Sequence, residues 1–489
     1  MRILSLLSFL FAALLLGACG ELDSWTTSPD AVLRFSADTL RFDTLITGYG
    51  SATQTLVAHN GAGDGVRIQS VRLGKGAESH WRVNVDGQYL YNGQGEDFEV
   101  RAKDSIYIRV FANLPETQAD TIAGYKDELL FTLESGVVQR VVLTGSALNV
   151  TQLRGLTYSQ DTELTTQRPY HVFDSLVVAA GATLTLPAGC TLMMHDGAEL
   201  IVRGTLKAEG TIDRPVVLRG DRTDRMFPNL PYDNTPNRWV GLRFTAESRD
   251  NHLLQVDLHS SDYGIRVDSL AFETLSDPVL VIENSILHNI GGPGLDLRST
   301  RVLVVGTQIS NTLGNVVSVE GGDVLFVHCT LAQFYPFSAN RGYALWLSNK
   351  MRIKTADVEI PLKRAHFLNC LVSGYAEDVI QGNLMEEKTG QEKINFRFEN
   401  SLLRTVASDD KERFVQVCYD LKDSAEVVGE QQFKRFDVVN YLYDFAPDSL
   451  SAARGLANRD IARQYPIDRR GINRFADDNP DAGAYEGKK

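Results

Sequence analysis

The chain has 489 residues, of which 43% are hydrophobic and 23% are charged. These proportions are typical of soluble globular proteins, and they exclude a disordered chain, a collagen and a polytopic membrane protein. The 62 acidic and 49 basic residues give a formal net charge of -13. Because such a surface repels phosphate backbones, we expect no nucleic-acid partner. The length alone predicts about three domains.

The amino terminus predicts export and lipid attachment. Arg2 gives a short basic start, and Leu4 to Leu16 form an apolar run that is too short to span about 30 Å of hydrocarbon. The run ends in Gly17-Ala18-Cys19, and small residues before a cysteine resemble the bacterial lipobox. The resemblance implies a lipoprotein signal peptide over 1–18, a palmitate-type anchor on Cys19, and attachment to the outer membrane of a Gram-negative cell envelope. An ordinary signal peptide with a chance cysteine is the alternative.

The next segment predicts an all-β domain. After a polar tether over 19–30, short runs alternate apolar and polar residues over 31–149, as in Thr53–Ala58 and Ser105–Val110. Alternation is typical of strands with one buried face, and six or more such strands predict a β-sandwich. Phe42-Asp43-Thr44-Leu45, followed by Asn60-Gly61, resembles the Ig-like domains of bacterial surface lipoproteins. This resemblance implies a spacer or interaction module without a catalytic group.

A different pattern begins near residue 150. Short apolar strands follow one another across tight turns, as in Ala182–Leu186 and Cys190–Met194. Loops too short for a crossover helix favour a solenoid over a βαβ sheet. Ile282–Ile286 aligns with four later pentads whose first positions lie 23, 21, 41 and 31 residues apart, namely Val305–Ile309, Phe326–Thr330, Phe367–Leu371 and Phe398–Leu402. A base period of about 20 to 25 residues is that of one β-helix coil, with insertions in the longer gaps.

Stacked coils place like residues above one another, so we expect side-chain ladders. The aromatic stack would comprise Phe326, Phe367 and Phe398. The amide ladder at a turn would comprise Asn284, Asn369 and Asn400. His328 falls in the same column, which indicates a ladder member and not a catalytic base.

Two further segments resemble known proteins. Gly204–Thr211 and Trp239–Leu242 are similar to the opening coils of surface lipoproteins in the right-handed parallel β-helix (pectate-lyase-like) superfamily, which implies a β-helix over 150–440. Pro480–Glu486 is similar to the C-terminal tail of many secreted bacterial β-helix proteins, although Ala482 replaces the usual Ile. We therefore expect residues 441–489 to cap the open edge of the last coil. The whole chain is expected to be all-β, a sandwich followed by a capped solenoid.

Candidate site residues lie after the opening coils. An enzyme on this fold needs carboxylates or basic groups on one lateral groove. The candidates for catalysis are Asp221, Asp224, Arg225, Asp233, Asp257, His259 and Asp262. The candidates for binding a sugar by stacking are Tyr232 and Trp239, in a loop that could equally pack as a flap over the first coils. None of these residues matches a catalytic signature, and polar loops between coils explain them equally.

The sequence predicts no cofactor and no metal site. It contains no GxGxxG, P-loop, HExxH or GxSxG motif, and calcium is conceivable on this fold but no motif supports it. The remaining cysteines form no CxxC pair, which argues against zinc or thioredoxin-like chemistry. Cys190, Cys329, Cys370 and Cys418 are expected to be small buried hydrophobic residues.

The leading functional interpretation is a lipid-anchored envelope protein whose β-helix binds a polysaccharide or a cell-surface protein without catalysis. A polysaccharide lyase or glycoside hydrolase acting in the β-helix groove is the alternative. A structural component of a surface assembly is the second alternative. Only analogy at the level of the fold favours carbohydrate.

Overall fold

The computed structural model describes residues 24–487 except 119–120, 271, 273–274, 354–355, 385–393, 421–428 and 478. The described residues divide into two compact units, and the division falls between Asn149 and Val150. The predicted signal peptide and the lipidation site Cys19 lie outside the described residues. Among the helices of the described part, none combines the length and the apolar character needed to cross a membrane.

The first unit is an Ig-like β-sandwich of two sheets. The six-stranded sheet has the order β1-β5-β10-β11-β3 with β8 beside β5, and the five-stranded sheet has the order β2-β4-β9-β6-β7. The strands are β1 (Trp25–Thr26), β2 (Leu33–Phe35), β3 (Thr39–Ile46), β4 (Gln54–Asn60), β5 (Gly65–Leu73), β6 (Trp81–Val85), β7 (Gln88–Tyr89), β8 (Gln94–Val100), β9 (Ser105–Ala112), β10 (Ala123–Leu133) and β11 (Val138–Leu148). A 3-10 turn covers Gly76–Glu78.

The predicted alternation builds the core of this sandwich. Along β9, Ile106, Ile108 and Val110 point inward while the residues between them face solvent, which is the two-residue period of a half-buried strand. Trp81 is fully buried in the same core. The segment predicted as a tether contributes a short strand, because Trp25–Thr26 pairs in parallel with the start of β5.

The second unit is a parallel β-helix. Its strands are β12 (Thr151–Tyr158), β13 (Thr162–Glu163), β14 (Tyr170–Val178), β15 (Thr183–Pro187), β16 (Thr191–Met194), β17 (Glu199–Val202), β18 (Thr205–Glu209), β19 (Val216–Gly220), β20 (Arg225–Phe227), β21 (Leu230–Pro231), β22 (Gly241–Phe244), β23 (Asn251–Leu254), β24 (Val256–His259), β25 (Ile265–Val267), β26 (Leu280–Glu283), β27 (Ile286–Ile290), β28 (Leu295–Arg298), β29 (Arg301–Val305), β30 (Gln308–Thr312), β31 (Val317–Glu320), β32 (Gly322–Val327), β33 (Thr330–Gln333), β34 (Leu345–Ser348), β35 (Lys350–Ile353), β36 (Ala356–Glu359), β37 (Leu362–Leu368), β38 (Leu371–Gly374), β39 (Ile380–Asn383), β40 (Phe396–Glu399), β41 (Leu402–Leu403), β42 (Phe414–Val415), β43 (Cys418–Tyr419), β44 (Phe433–Asp437) and β45 (Leu442–Pro447). In the described part of this unit, short 3-10 turns cover Tyr232–Asn234 and Gly429–Gln432, and one helix, α1, covers Arg459–Gln464.

Each complete coil contributes one strand to each of three parallel stacks. Stack 1 is the ten-stranded sheet β13-β15-β18-β23-β26-β29-β32-β37-β40-β42. Stacks 2 and 3 run into one another as an 18-stranded sheet, because β14 contributes its first half to stack 2 and its second half to stack 3. Stack 2 continues through β16, β19, β24, β27, β30, β33, β38, β41 and β43. The hairpins β20–β21, β35–β36 and β44–β45 lie outside the three stacks.

The predicted aromatic stack fills the interior of the later coils. The rings of Phe326 and Phe367 are parallel with centroids 4.9 Å apart, and those of Phe367 and Phe398 are 5.1 Å apart. Phe414 extends the stack at 5.4 Å from Phe398. Since like residues at one coil position lie directly above one another, this prediction from the repeat is confirmed.

The residues of the predicted Asn column lie at the turn between stack 1 and stack 2. One residue at this turn takes a left-handed conformation with φ between 46° and 57° in seven successive coils, namely Gln255, Asn284, Gly306, His328, Asn369, Asn400 and Gln416. Asn and Gly are the residues that tolerate this conformation best, which explains the column. The side chains do not form one continuous amide ladder, because Gly306 interrupts it and the amide of Asn400 donates to the Leu456 carbonyl.

The structure corrects the alignment of one repeat by a single residue. Ile282 pairs with Val304 and Val304 with Phe326, so two successive coils are 22 residues long. The sequence alignment placed Val305 opposite Ile282. Since Gly306 and not Thr307 occupies the left-handed turn position, the apolar residue inside the coil is Val304.

The cysteines of the solenoid follow the same register. Cys190, Cys329 and Cys370 are buried free thiols, as predicted, whereas Cys418 is half-buried. Cys329 and Cys370 directly follow the left-handed residue, and each thiol lies within 3.4 Å of the carbonyl two residues earlier. Ser285 and Ser401 make the equivalent hydroxyl bonds, so the position requires a small side chain that can donate.

Residues 429–487, here called the C-terminal segment, cover the outer side of stack 2. Gly483 donates to the Asn369 carbonyl, Ala484 donates to Thr330 at 2.9 Å, and the Tyr485 hydroxyl donates to Gln308. These three contacts fall on successive coils, so the segment runs along the side of the solenoid and is not confined to the last coil. The outward positions that it covers are apolar, as in Leu371 and Leu402. Among the described residues, the last coil strand is β43.

The C-terminal segment also encloses charged side chains. Arg474 is 1% exposed and Glu486 is 3% exposed. Burial raises the pKa of Glu486 to about 8, although the hydrogen bond from the Asp481 backbone N–H and the charge of Arg474 both act to lower it. On the solenoid, burial and the nearby Arg474 hold the pKa of His328 well below its usual value, which supports a neutral ladder residue.

Candidate functional site

The outward face of stack 2 carries the candidate residues Asp257 and His259. Val256 and Leu258 of β24 point into the core, so Asp257 and His259 point outward between them. His259 pairs in register with His288 of β27, and His288 pairs with Ser310 of β30. His288 from the next coil therefore joins the two outward side chains of β24.

We call the residues around β24 the Asp257 cluster, which comprises Arg219, Asp233, Asp257, His259 and His288. Asp257 Oδ1 lies 2.9 Å from His259 Nδ1 and 3.2 Å from His288 Nε2. Asp233 Oδ1 lies 3.4 Å from His259 Nε2 and 2.5 Å from Arg219 Nη2. His259 therefore lies between two carboxylates, one on each ring nitrogen.

Opposite charges fix the protonation states of this cluster. Burial alone would raise the pKa of Asp257, but His259 and His288 outweigh it and hold that pKa well below its usual value. Burial would lower the pKa of His259, but Asp257 and Asp233 raise it to about 9. The pKa of Asp233 is lowered because the bonds and charges of His259 and Arg219 exceed the effect of its burial. At neutral pH Asp233, Asp257 and His259 are therefore ionised.

A second set, the Asp221 cluster, lies on earlier coils of the same stack. Asp221 Oδ2 is 2.9 Å from His171 Nε2 and 2.6 Å from His195 Nδ1. Burial would raise the pKa of Asp221, but hydrogen bonds and charge from the two histidines lower it. The sequence analysis named Asp221 and missed both histidines.

The remaining catalytic candidates are not brought together. Asp224 forms a two-point ion pair with Arg222 at 2.6 and 2.7 Å within its own loop. Arg225 donates to the Pro228 carbonyl at 3.2 Å in the β20–β21 hairpin. Asp262 is exposed, and partial burial together with Asp196 raises its pKa.

The two aromatic candidates have structural partners. Trp239 is 1% exposed, and its indole N–H donates to the His259 carbonyl at 2.8 Å, so it is a core residue and offers no face to a sugar. Tyr232 lies beside Arg222, whose guanidinium carbon is 3.9 Å from the ring centroid, and Arg238 at 5.5 Å. The loop between them contacts the C-terminal segment, because the Asn234 amide donates to the Tyr441 carbonyl at 3.4 Å.

A cleft of about 280 Å³, here called the lateral cleft, opens between stack 2 and the C-terminal segment. Its stack 2 wall consists of Ile286, His288, Asn289, Gln308, Ser310 and Asn311. Its other wall consists of Asn234, Tyr441, Leu442, Tyr443, Phe445, Arg469, Arg470 and Tyr485. Through His288 the cleft adjoins the Asp257 cluster.

The missed histidines carried a signal in their spacing. His195 and Asp221 occupy equivalent positions of consecutive coils, since Met194 pairs with Gly220. His259 and His288 are also paired across consecutive coils. Their spacings of 26 and 29 residues exceed the base period of about 20 to 25, so only a search that allows for insertions would have found both pairs. His171 lies two positions earlier in its coil and carries no such signal.

Comparisons with known proteins add little. No family model matches the chain, and no curated protein matches it. Among solved structures, a PapD-like domain of human CEP192 is 12% identical over 27% of this chain and 96% of that one, with a TM-score of 0.17. A protein of unknown function from Porphyromonas gingivalis W83 is 14% identical over 26% of this chain and 60% of that one, with a TM-score of 0.17. The BcpA pilin subunit of Bacillus cereus is 9% identical over 27% of this chain and 43% of that one, with a TM-score of 0.16.

With TM-scores this low, the fold class is defined by the strand pairing. The chain is an all-β protein that combines an Ig-like sandwich with a parallel β-helix.

Proposed function

We propose that the protein is a lipid-anchored envelope protein, held by Cys19 in a Gram-negative outer membrane, whose β-helix binds a glycan in the lateral cleft without cleaving it. The anchor follows from the lipobox-like sequence at Gly17-Ala18-Cys19. The binding role follows from the chemistry of the cleft.

The observation that carries the proposal is a set of unpaired polar atoms on both walls. Within the described part of the chain, Asn311 Oδ1, Tyr443 Oη and Arg469 Nε are buried and have no hydrogen-bond partner. Buried polar groups in native proteins are nearly always paired, because an unpaired one costs about 1–3 kcal/mol. Three such atoms around one cavity therefore favour a polar ligand that pairs with them.

The donors and acceptors suit a sugar. Asn311 Oδ1 accepts, Arg469 Nε donates, and the Tyr443 hydroxyl does either, which matches hydroxyl groups that both donate and accept. The cleft holds about 280 Å³, roughly the volume of nine water molecules at about 30 Å³ each, so one or two sugar residues would fill it.

A larger hollow of about 940 Å³ lies along the last coils, beside Lys363, His366 and Lys411. Among its lining residues only Arg397 has an unpaired buried side-chain atom, its Nε. The lateral cleft therefore offers the denser set of unmet hydrogen bonds despite its smaller volume.

The ionised state of the Asp257 cluster argues against a two-carboxylate hydrolase. A general acid that acts near neutral pH needs a carboxyl group with a raised pKa. Asp257 and Asp233 both have lowered pKa values. The specific feature that favours an enzyme is His288, because it faces the cleft with Asp257 on its Nε2, in the arrangement of an oriented base.

The test is a glycan array probed with the purified full-length chain in a detergent that contains no sugar. We expect binding to a defined set of polysaccharide fragments and a loss of about 5- to 30-fold in affinity for Asn311→Ala, since one or two hydrogen bonds are worth about 1 kcal/mol each. Lys411→Ala in the larger hollow is the matched control and should bind normally. Binding that Lys411→Ala weakens and Asn311→Ala does not would refute the cleft assignment.

An assay for unsaturated or reducing sugar ends separates binding from catalysis. We expect no release from any fragment that binds. Release that His288→Gln abolishes would establish the lyase or hydrolase instead. An array without any glycan signal would refute carbohydrate recognition and leave a protein-binding or structural role.

A further inference from the structure

The Asp221 cluster brings three metal-ligating side chains to one point. His171 Nε2, His195 Nδ1 and Asp221 Oδ2 all lie within 4.8 Å of one another. The side chains of His171 and Asp221 are 0% and 7% exposed, whereas that of His195 is 32% exposed. The three groups thus converge in a buried position that solvent reaches from one side.

The coil register holds these side chains in place. His171 belongs to β14, and His195 and Asp221 directly follow β16 and β19, so each ligand comes from a different coil of stack 2. The backbone N–H of His195 donates to the Val172 carbonyl at 2.8 Å, and that of Asp221 donates to the Met194 carbonyl at 3.0 Å. The ladder hydrogen bonds therefore fix the backbone at two of the three positions before any ligand arrives.

The distances from the Asp221 oxygen to the two ring nitrogens are shorter than those in a site that holds a metal ion. Ligand atoms about 2.0–2.2 Å from a tetrahedral zinc ion lie roughly 3.3–3.6 Å apart. The nitrogen–oxygen distances of 2.9 and 2.6 Å would lengthen by about 0.4–1.0 Å to reach that spacing. Both histidines direct a ring nitrogen at the same carboxylate oxygen, which is the convergence that a cation requires.

In the Asp257 cluster, the carboxylates are already neutralised by cationic side chains of the same cluster. There Arg219 pairs with Asp233, and His259 lies between two carboxylates, so cationic side chains already occupy the positions around the acids. In the described part of the chain the ion pairs of Asp221 are with the two histidines alone. Neutral imidazole is a good ligand for divalent transition metals, and a single carboxylate completes such a set.

We propose that His171, His195 and Asp221 form a binding site for one divalent transition-metal ion, for which zinc is the best fit. Three protein ligands leave a fourth position for water on the side of His195, as in open zinc sites. The two-nitrogen, one-oxygen set disfavours calcium, which prefers six to eight oxygen ligands. The site is separate from the lateral cleft and does not depend on glycan binding. It also uses no thiolate, so the spacing of the cysteines does not bear on it.

The test is equilibrium binding of Zn²⁺ to the metal-stripped full-length chain. We expect one ion per chain and at least about 100-fold weaker binding in His195→Gln, because one of the three ligands is lost. His195 is the ligand to change because it is partly exposed, and circular dichroism checks the fold of the variant. His288→Gln in the Asp257 cluster is the matched control and should bind Zn²⁺ as the parent chain does. Ca²⁺ should not compete.

Zinc X-ray absorption on the parent chain needs no variant. We expect scattering from two imidazoles and one carboxylate, without sulfur. The proposal would be overturned by sulfur scattering or by the absence of binding at micromolar Zn²⁺. It would also be overturned if His195→Gln bound Zn²⁺ as tightly as the parent chain, or if His288→Gln weakened binding as much as His195→Gln does.

Discussion

Replacement of Phe367 by leucine tests whether the aromatic stack stabilises the solenoid. Phe367 is fully buried, with parallel neighbours at 4.9 Å on one side and 5.1 Å on the other. Leucine keeps most of the apolar contact, so the main loss is two ring–ring interactions, each worth about 0.5–1.5 kcal/mol. We therefore expect Phe367→Leu to cost about 1–3 kcal/mol, whereas Phe367→Ala should cost about 3–5 kcal/mol because a cavity is added.

Native-state hydrogen exchange is the suitable assay. The solenoid has many coils, so its unfolding need not be two-state and one global midpoint can mislead. A loss of 1–3 kcal/mol corresponds to about 5- to 150-fold faster exchange of the protected amides in β37 and β40. Phe227→Leu is the control, since Phe227 is 59% exposed. Exchange in Phe367→Leu that equals the control, or that rises equally in the sandwich, would refute the reasoning.

Three further predictions concern single positions. Burial raises the pKa of Glu486 to about 8, so the folded chain keeps a proton that the unfolded chain releases near the ordinary pKa of 4.5. The free energy of unfolding should therefore fall as the pH rises from about 5 to 8, and Glu486→Gln should flatten that slope in urea titrations. Gly306→Ala should lower stability by about 1–2 kcal/mol in thermal melts, because φ is +57° and the new Cβ would meet Asn284 Oδ1. Tyr485→Phe should cost about 1–2 kcal/mol by urea denaturation, because it removes the hydrogen bond to buried Gln308; unchanged stability would contradict that bond.

The architecture was largely predictable because it repeats. Phe326 and Phe367 recur at one coil position, and a solenoid converts recurrence in sequence directly into stacking in space. The one-residue error at Val305 arose because the apolar pattern is equally good in two registers. Only the backbone demand at Gly306, with its positive φ, distinguishes them.

The candidate site was only partly predictable. Asp257 and His259 share a strand, so their two-residue spacing already placed them on one face. His171 and Asp221 are far apart in sequence and meet only because insertions of unequal length are looped out between the coils. Trp239 is buried and its indole N–H donates to the His259 carbonyl, which is the position that the alternative of a packed flap gives it.

The contact between Tyr485 and Gln308 also imposes an order of events on folding. The two residues are 177 positions apart, so the contact can form only when the coils and the C-terminal segment are both present. Until then the outer apolar side of the coils around Leu371 and Leu402 has no cover. The C-terminal segment therefore has to close over a surface that would otherwise favour association between chains.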